Sequence, residues 1–169
     1  MTDPKETIVS DHPYASLPSP KPAAAPIRQF SDQHRFLSNF WGVPDGIQFD
    51  GHRVKTVEAA FQLAKTFDPA ERAAILAAKR PGEAKIIGRT VTLRPDWEQV
   101  KIGVMTLLQA QKYRDPLLRD SLLATGDAEL IEGNHWGDRF WGVDSRTGEG
   151  ENWLGRILMI QRSVLRLAV

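Results

Sequence analysis

The sequence predicts a compact, mainly helical single domain of the α+β class, with a few short strands. Three observations support this: apolar residues recur at helical spacing in several segments, segments rich in β-branched and aromatic residues are short, and helices and strands do not alternate regularly. A length of 169 residues suits one domain with a core. Residues 1–26 contain six prolines and are predicted to be a disordered tail, which leaves residues 27–169 as the domain.

Local signals place the elements in order. Thr56 and Asp68 are helix N-cap residues by type, and Asp68 and Asp115 are each followed by a first-turn proline. Asp50 and Gly51 form the turn of a hairpin. The predicted elements are a strand at 27–30, a hairpin at 47–54, helices at 56–67, 69–78, 82–87, 97–113 and 116–126, strands at 128–132 and 139–143, and a last helix at 153–167. In the helix at 97–113, the face expected to pack on the core consists of Val100, Val104, Leu107, Leu108 and Gln111.

The composition excludes several classes of function. With 22 basic and 21 acidic residues the formal charge is +1, so the chain has no basic field that would hold a long stretch of nucleic acid by counterion release. It has no cysteine, which excludes thiol chemistry and suits a reducing compartment. No segment approaches the roughly 20 apolar residues of a membrane span. We expect a soluble cytoplasmic protein with no membrane partner.

Metal and serine chemistry are disfavoured by the motifs that are missing. The four histidines form no HxH or HExxH pair, and they stand in the predicted tail or on separate predicted loops: His12, His34, His52 and His135. A serine triad would lack its GxSxG elbow. We therefore expect no metal and no organic cofactor, and carboxylate and lysine chemistry in an aromatic pocket.

The clearest candidate for a functional site is a polar strip on the helix that Thr56 caps. Glu58, Gln62 and Lys65 stand at i, i+4 and i+7, so they share one narrow stripe. Apolar residues cover most of the remaining circumference, which predicts a largely buried helix whose polar strip needs partners. The alternative is an ordinary solvated face, because charged stripes usually lie at the surface.

A second candidate is the segment 133–143, with the sequence G-N-H-W-G-D-R-F-W-G-V. Glycine lets the backbone approach a ligand closely, and Trp136 and Trp141 offer aromatic faces that stack on planar bases. The alternative is that both tryptophans anchor the core and that Asp138 caps a turn. An aspartate between two tryptophans favours the first interpretation.

Two further segments give weaker signals. Asn39 and Phe40 lie in an aromatic-rich stretch, where Asn39 would contact a base edge or a ribose hydroxyl, although asparagine in a turn more often bonds its own backbone. Asn152 lies in a glycine-rich segment before the last helix, whose free amide groups would meet an anion. A simple glycine-rich cap is the alternative for that segment.

Seven motifs in this order resemble those of the NADAR (YbiA-like) domain family. They are F-L-S-N-F-W, T-V-E-A-A-F-Q-L-A-K-T, P-G-E-A-K-I-I-G-R, L-R-P-D-W-E-Q-V-K, L-L-A-T-G-D-A-E-L-I-E, W-G-D-R-F-W-G-V and G-E-G-E-N-W-L-G-R-I-L-M. The resemblance covers roughly residues 28–165, which makes it far more specific than one motif. One departure is Ala59, because the family often has histidine directly after the glutamate; no role of that histidine transfers.

The resemblance implies a compact helical α+β fold and N-glycosidase activity on a phosphorylated ribose joined to a base nitrogen. The family's substrates include phosphoribosylaminopyrimidine intermediates of riboflavin synthesis and ADP-ribose attached to guanine in DNA or RNA, and some relatives are thought to counter ADP-ribosylating toxins. The expected partner is therefore a small ribosylated base or ADP-ribose, with ADP-ribosylated nucleic acid as a further substrate. The resemblance carries over to Glu58, Lys65, Trp136, Asp138 and Asn39 at the matching motif positions.

Cleavage of a ribosyl C–N bond builds positive charge on the anomeric carbon while the leaving nitrogen needs a proton, and paired acidic groups serve both needs. We assign Glu58 to water activation or proton transfer, and Asp138 to the ribose or its developing cation. Lys65 would hold a phosphate, donate a proton, or attack a ring-opened aldehyde to give a Schiff base. The sequence does not choose among these roles.

The remaining candidates bind substrate. Trp136 and Phe40 would stack on the base or wall the pocket, and several arginines are candidate phosphate contacts. The full binding set is Asn39, Phe40, Gln62, Arg89, Arg94, Trp136, Trp141, Arg146 and Asn152. Two rival functions use the same residues: a non-catalytic module that binds NAD or ADP-ribose, and a scaffold for a protein interface.

Overall fold

The computed structural model describes residues 24–168 of the chain. The predicted tail therefore lies outside the described residues, apart from its last three, 24–26, which are exposed. Ile27 forms an isolated parallel bridge with Leu130. The strand predicted at 27–30 is reduced to this bridge.

A hairpin of β1 (Gly42–Phe49) and β2 (His52–Thr56) comes first among the regular strands. The strands are antiparallel, with Ile47 opposite Val54. Asp50 and Gly51 form the turn with φ values of 46° and 78°, a left-handed conformation that aspartate and glycine tolerate. The hairpin prediction is confirmed. Within β1 the pairing register shifts between Gly42 and Ile47, around Pro44, Asp45 and Gly46.

The six predicted helices are all present. They are α1 (Val57–Leu63), α2 (Pro69–Ala77), α3 (Pro81–Ile87), α4 (Trp97–Lys112), α5 (Pro116–Ala124) and α6 (Trp153–Leu167). The predicted caps are confirmed: the side chains of Thr56, Asp68 and Asp115 each accept a hydrogen bond from a backbone N–H in the first turn of the next helix. A short 3-10 helix at Asp32–Leu37, which the sequence did not predict, precedes the hairpin.

The strands predicted at 128–132 and 139–143 are largely wrong. The structure has only two-residue strands there, β3 (Gly133–Asn134) and β4 (Val143–Asp144), paired in parallel. Side chains satisfy the backbone groups that a longer ladder would have used: Asn152 binds the Leu130 carbonyl and the Glu132 amide. The Asp138 side chain likewise accepts hydrogen bonds from the backbone amides of Phe140 and Trp141.

The packing face of α4 also differs from the prediction. Leu108 is buried as expected, but Leu107 is 68% exposed, and the helix buries Gln109 and Lys112 instead. Each finds a partner for its nitrogen, because Gln109 Nε2 donates to Asn39 Oδ1 and Lys112 Nζ donates to the Ser38 carbonyl. The predicted face is thus confirmed at Val100, Val104 and Leu108, which pack on the core, and wrong at Leu107.

Helix α1 is the most enclosed element near the site. It contacts both strands of the hairpin and helices α2, α3 and α4, while α6 packs on α4 and α5. Val57, Ala60 and Leu63 on α1 are buried, and so are its polar residues Glu58 and Gln62. The solvated-face alternative for the polar strip is therefore wrong. Within residues 24–168, no helix combines the length and apolarity needed to cross a membrane.

Candidate functional site

A cavity of about 400 Å³ opens beside the polar face of α1. Three other parts of the chain close it: the segment before β1, helices α3 and α4, and the segment from Glu132 through the loop between β3 and β4. Its lining residues are Ser38, Asn39, Phe40, Glu58, Phe61, Gln62, Lys65, Lys85, Arg89, Met105, Glu132, Trp136, Gly137, Asp138 and Trp141. This volume lies within the usual range of small-molecule sites.

Glu58 is the most buried acid on the α1 side of the cavity, with 5% of its surface exposed. Its Oε1 accepts a hydrogen bond of 2.7 Å from Gln62 Nε2, one turn further along the helix. Burial raises the pKa of the Glu58 carboxyl, while the charges of Lys85, Lys65 and Arg89 and the Gln62 hydrogen bond act in the opposite direction. The cavity thus contains a desolvated carboxyl facing three cations.

Lys65 completes the polar strip at the end of α1. Its Nζ donates to the carbonyl of Gly88 at 3.0 Å, where α3 ends. Burial lowers the pKa of Lys65, Glu58 opposes that change, and Lys85 and Arg89 lower the pKa further. A depressed pKa leaves more of the amine in the neutral form that nucleophilic attack requires, and it makes the ammonium form a stronger proton donor.

Gly88 lets α3 approach the polar strip closely. A Cβ atom at this position would lie 2.0 Å from Gln62 Oε1, so no larger residue fits without displacing that side chain. The backbone of Gly88 has ordinary helical angles, so the requirement is space rather than an unusual conformation. The glycine therefore allows Gln62 and Lys65 to hold their places beside Glu58.

Asp138 lies in the cavity wall opposite α1 and also caps its own loop. Its Oδ1 accepts hydrogen bonds from the amides of Phe140 at 3.1 Å and Trp141 at 2.9 Å. The side chain of Asn134 holds the backbone of Asp138 on both sides, accepting from its N–H and donating to its carbonyl. Asp138 therefore caps a turn, as the alternative interpretation expected, and it also lines the cavity.

Two exposed aromatic rings line the mouth of the cavity. Phe40 is 38% exposed and Trp136 is 62% exposed. The ammonium of Lys85 lies 5.5 Å from the Phe40 ring centre and 5.3 Å from that of Trp136, within the range of cation–π contacts with both rings. Exposed aromatic rings next to a cation suit a planar ligand that carries negative charge.

Trp141 is a wall of the cavity rather than a free stacking surface. Its ring meets Phe61 edge-on at 5.3 Å and Phe140 edge-on at 5.0 Å. Phe61 in turn packs on Trp97 at 5.0 Å. The core-anchor interpretation therefore holds for Trp141 and not for the exposed Trp136.

Asn39 lines the cavity, but its carbonyl oxygen is already used. Oδ1 accepts a hydrogen bond of 2.6 Å from Gln109 Nε2, whereas Nδ2 has only the weak acceptor Met105 Sδ at 3.7 Å. The backbone carbonyl of Asn39 accepts from the amide of Glu58 at the start of α1. The amide donor of Asn39 is thus the atom with capacity for a ligand acceptor.

Three predicted binding residues do not line the cavity. Arg94 is held by Asp96 through two hydrogen bonds of 2.6 and 2.8 Å. Arg146 is 81% exposed and lies 3.6 Å from Asp144. Asn152 is a buried structural residue that binds two backbone groups of the 130–132 segment. Arg89, in contrast, does line the cavity. Arg94 and Arg146 are therefore not placed to bind a phosphate in this cavity, and Asn152 is not placed to bind a ligand there.

Sequence reasoning missed two ionisable residues of the cavity, Lys85 and Glu132. Lys85 stands on α3 among ordinary surface-type residues, so only the docking of α3 on α1 reveals it. Glu132 is half-buried as a residue, but its Oε2 atom is buried, and desolvation together with the nearby Asp138 carboxylate raises the pKa of Glu132 to about 7. In the sequence, the feature that could have indicated Glu132 is a charged residue directly after the apolar pair Leu130 and Ile131.

Across the described part of the chain, no three histidine, aspartate or glutamate side chains form a group that could hold a metal ion.

Comparison with known proteins relates this site to a family. The NADAR domain matches residues 27–166. The chain is 38% identical over 140 residues to the N-glycosidase YbiA of Escherichia coli (strain K12), which covers 81% of this chain and 85% of that protein. It is 36% identical over 138 residues to a riboflavin biosynthesis protein of Vibrio vulnificus (strain YJ016), covering 80% of this chain but only 36% of that longer protein.

A solved structure agrees with the fold. The NMR structure of the E. coli protein YbiA matches this chain with a TM-score of 0.71 at 35% identity, and the match covers 84% of each chain. The predicted α+β class, with many helices around small sheets, is thus confirmed. On the family match and these relatives together, the chain belongs to the NADAR domain family.

Proposed function

We propose that this protein is an N-glycosidase that hydrolyses the bond between a phosphorylated ribose and a base nitrogen. The observation that carries the proposal is the buried Glu58 carboxyl in a cavity that also contains cations and exposed aromatic rings. The relatives named N-glycosidase and riboflavin biosynthesis protein support the same activity. A phosphoribosylaminopyrimidine intermediate of riboflavin synthesis is the substrate that this combination favours.

Glu58 would accept the proton of the attacking water. The reaction breaks the C–N bond through a sugar with developing positive charge, and water adds to the anomeric carbon. A carboxylate that is poorly solvated takes a proton readily, and Gln62 fixes one of its oxygens. Asp138, held by two backbone amides, would offer its negative charge to the ribose cation.

The cations would bind the phosphate. Lys65, Lys85 and Arg89 all line the same cavity. Phosphate carries charge and several acceptor oxygens, which ammonium and guanidinium groups satisfy together. Lys65 keeps two further roles, because a lowered pKa makes its ammonium form a stronger proton donor and its neutral form, the Schiff-base nucleophile, more populated.

The base would lie at the mouth of the cavity against Trp136 and Phe40. Both rings have a large exposed fraction, so a planar base would bury apolar surface on them. The Lys85 ammonium now lies over both rings. A base bound against the rings would displace this ammonium, which would then pair with the phosphate.

A second substrate class is ADP-ribose attached to guanine. The observation that favours it is a groove beyond the cavity mouth, which shares Phe40 with the cavity and also contains the exposed Trp41. A substrate larger than a phosphoribosylated base would have apolar surface to contact there.

The experiment is a side-by-side assay of both substrates, with release of free base followed by chromatography. The parent protein should release base from at least one of them, and the ratio of the two rates identifies the preferred class. Glu98→Gln, an exposed acid on α4, is the matched control for Glu58→Gln. If ADP-ribose raises the melting temperature but neither substrate is cleaved, the protein is the non-catalytic binding module.

A further inference from the structure

Glu132 contributes a second carboxyl group to the cavity, one that the proposed reaction has not used. Its backbone is fixed on both sides, because its N–H donates to Asn152 Oδ1 at 3.0 Å and its carbonyl accepts from the Val143 amide at 2.9 Å. The side chain reaches the cavity wall, and its Oε2 is buried without a hydrogen-bond partner among residues 24–168. A buried polar atom without a partner is costly, which indicates that a ligand atom completes it.

The charged groups around Glu58 and Glu132 differ: cations alone surround the first, whereas carboxylates and cations together surround the second. Glu58 faces three cations, Lys85, Lys65 and Arg89. Glu132 faces two carboxylates, Asp138 and Glu58, as well as the cations Lys85 and Lys112. Neighbouring carboxylates oppose ionisation and neighbouring cations favour it, so these environments separate the two groups into a base and an acid.

Building on the proposed N-glycosidase function, we propose that Glu132 donates the proton to the leaving base nitrogen while Glu58 takes a proton from the attacking water. The electron pair of the broken C–N bond goes to the nitrogen, which receives the Glu132 proton. The water oxygen bonds to the anomeric carbon and its proton passes to Glu58. Proton exchange with solvent then restores a protonated Glu132 and an ionised Glu58.

Asp138 suits the donor role less well than Glu132 does. Asp138 Oδ1 accepts two backbone amide hydrogen bonds that shape its loop, so only Oδ2 of this side chain is available to a ligand. The burial that raises the pKa of Glu132 to about 7 keeps this carboxyl protonated near neutral pH, as a general acid requires. Asp138 retains its role next to the ribose.

The first test compares Glu132→Gln with Glu129→Gln, a matched change at an exposed glutamate three residues earlier. On a substrate that the parent protein cleaves, Glu132→Gln should lower turnover roughly 10²- to 10⁴-fold with similar affinity, and Glu129→Gln should not. The pH–rate profile should also lose its alkaline limb in Glu132→Gln, because that limb reports loss of the donated proton. A residue with only a structural role would lower the melting temperature and leave the limb in place.

Glu132→Asp is the control for loss of activity through misfolding of Glu132→Gln. It keeps a carboxyl group, so turnover should fall but the alkaline limb of the pH–rate profile should remain. Near-parent turnover of a folded Glu132→Gln, or an unchanged alkaline limb, would overturn the donor role and leave the N-glycosidase function intact. If the parent protein releases base from no ribosylated substrate, the function itself fails and the donor role fails with it.

A second measurement needs no turnover. In protein with ¹³C-labelled glutamate carboxyls, the resonance missing from Glu132→Gln identifies Glu132, and it should stay protonated to near-neutral pH. Titration near the ordinary glutamate value of about 4.3 would overturn the inference whatever the assay shows.

Discussion

Gln62 Nε2 donates to Glu58 Oε1 at 2.7 Å, across one turn of the same buried helix. This contact fixes one carboxylate oxygen and leaves the other for a ligand. The Oε1 atom of Gln62 has no partner within the described chain, so the amide is oriented by Glu58 alone. The pair is therefore the most direct target for testing the reaction.

Glu58→Gln should lower turnover by roughly 10²- to 10⁴-fold and leave ligand affinity similar, because the shape is kept and the proton chemistry is lost. Steady-state rates and calorimetric binding of the product separate the two quantities. A turnover close to that of the parent protein would remove Glu58 from the mechanism.

Lys65→Ala separates the three roles of this lysine. A phosphate contact would appear mainly as weaker binding, and a proton donor as lost turnover without a covalent adduct. A Schiff-base nucleophile would appear as lost turnover together with loss of the adduct that borohydride traps on the parent protein. Lys55→Ala, at an exposed position on β2, is the control and should change none of these readouts.

Asp138→Asn should lower turnover while leaving the fold intact, because an asparagine oxygen still accepts the two amide hydrogen bonds. Asp138→Ala should in addition lower the free energy of unfolding by about 0.5–1.5 kcal/mol for each hydrogen bond lost. Thermal unfolding of both variants gives the comparison. Equal stability of the two would show that the loop does not depend on this cap.

Gly88→Ala should lower both the melting temperature and turnover, because its methyl group would collide with Gln62 Oε1. The control is Gly103→Ala on α4, where a Cβ atom would meet nothing within 4 Å. Alanine favours a helix over glycine by roughly 0.5–1 kcal/mol, so the control should keep or raise stability. Turnover at the parent level in Gly88→Ala would mean that the position of Gln62 does not matter.

Lys112 should make stability depend on pH above neutrality. Complete burial lowers its pKa to about 7 from the ordinary 10.5, against an opposing effect of Glu132. Between these values the unfolded chain binds more protons than the folded one, so stability should rise with pH from about 7 to 10.5 relative to Lys112→Met. Melting temperatures of both proteins across this range provide the measurement; a difference that stays constant with pH contradicts the low pKa.

The helices were predictable because their signals are local. The caps at Thr56, Asp68 and Asp115 need only the neighbouring backbone, and the spacing of Glu58, Gln62 and Lys65 follows from the helical repeat. The strands were less predictable, since Asn152 and Asp138 take backbone groups from segments whose composition suits a ladder.

Site residues that belong to one sequence motif could be predicted. Residues that reach the cavity only through contacts between distant parts of the chain could not. Lys85 reaches the cavity only because α3 docks on α1 through Gly88. Arg94 resembles a phosphate ligand by type, but Asp96, two residues away, accepts hydrogen bonds from two of its three guanidinium nitrogens. Nothing in residue type distinguishes Arg89 from Arg94.

The short pairing of β3 with β4 closes the ends of the loop 135–142, and Asn134 ties its middle to its base through Asp138. Trp136 projects from this loop, whereas Glu58 and Lys65 belong to an enclosed helix. A change at Trp136 would therefore alter the exposed part of the cavity while Glu58 and Lys65 keep their places on α1. In evolution, one loop can vary the surface that such a cavity presents to its ligand, and the enclosed helix is inherited unchanged.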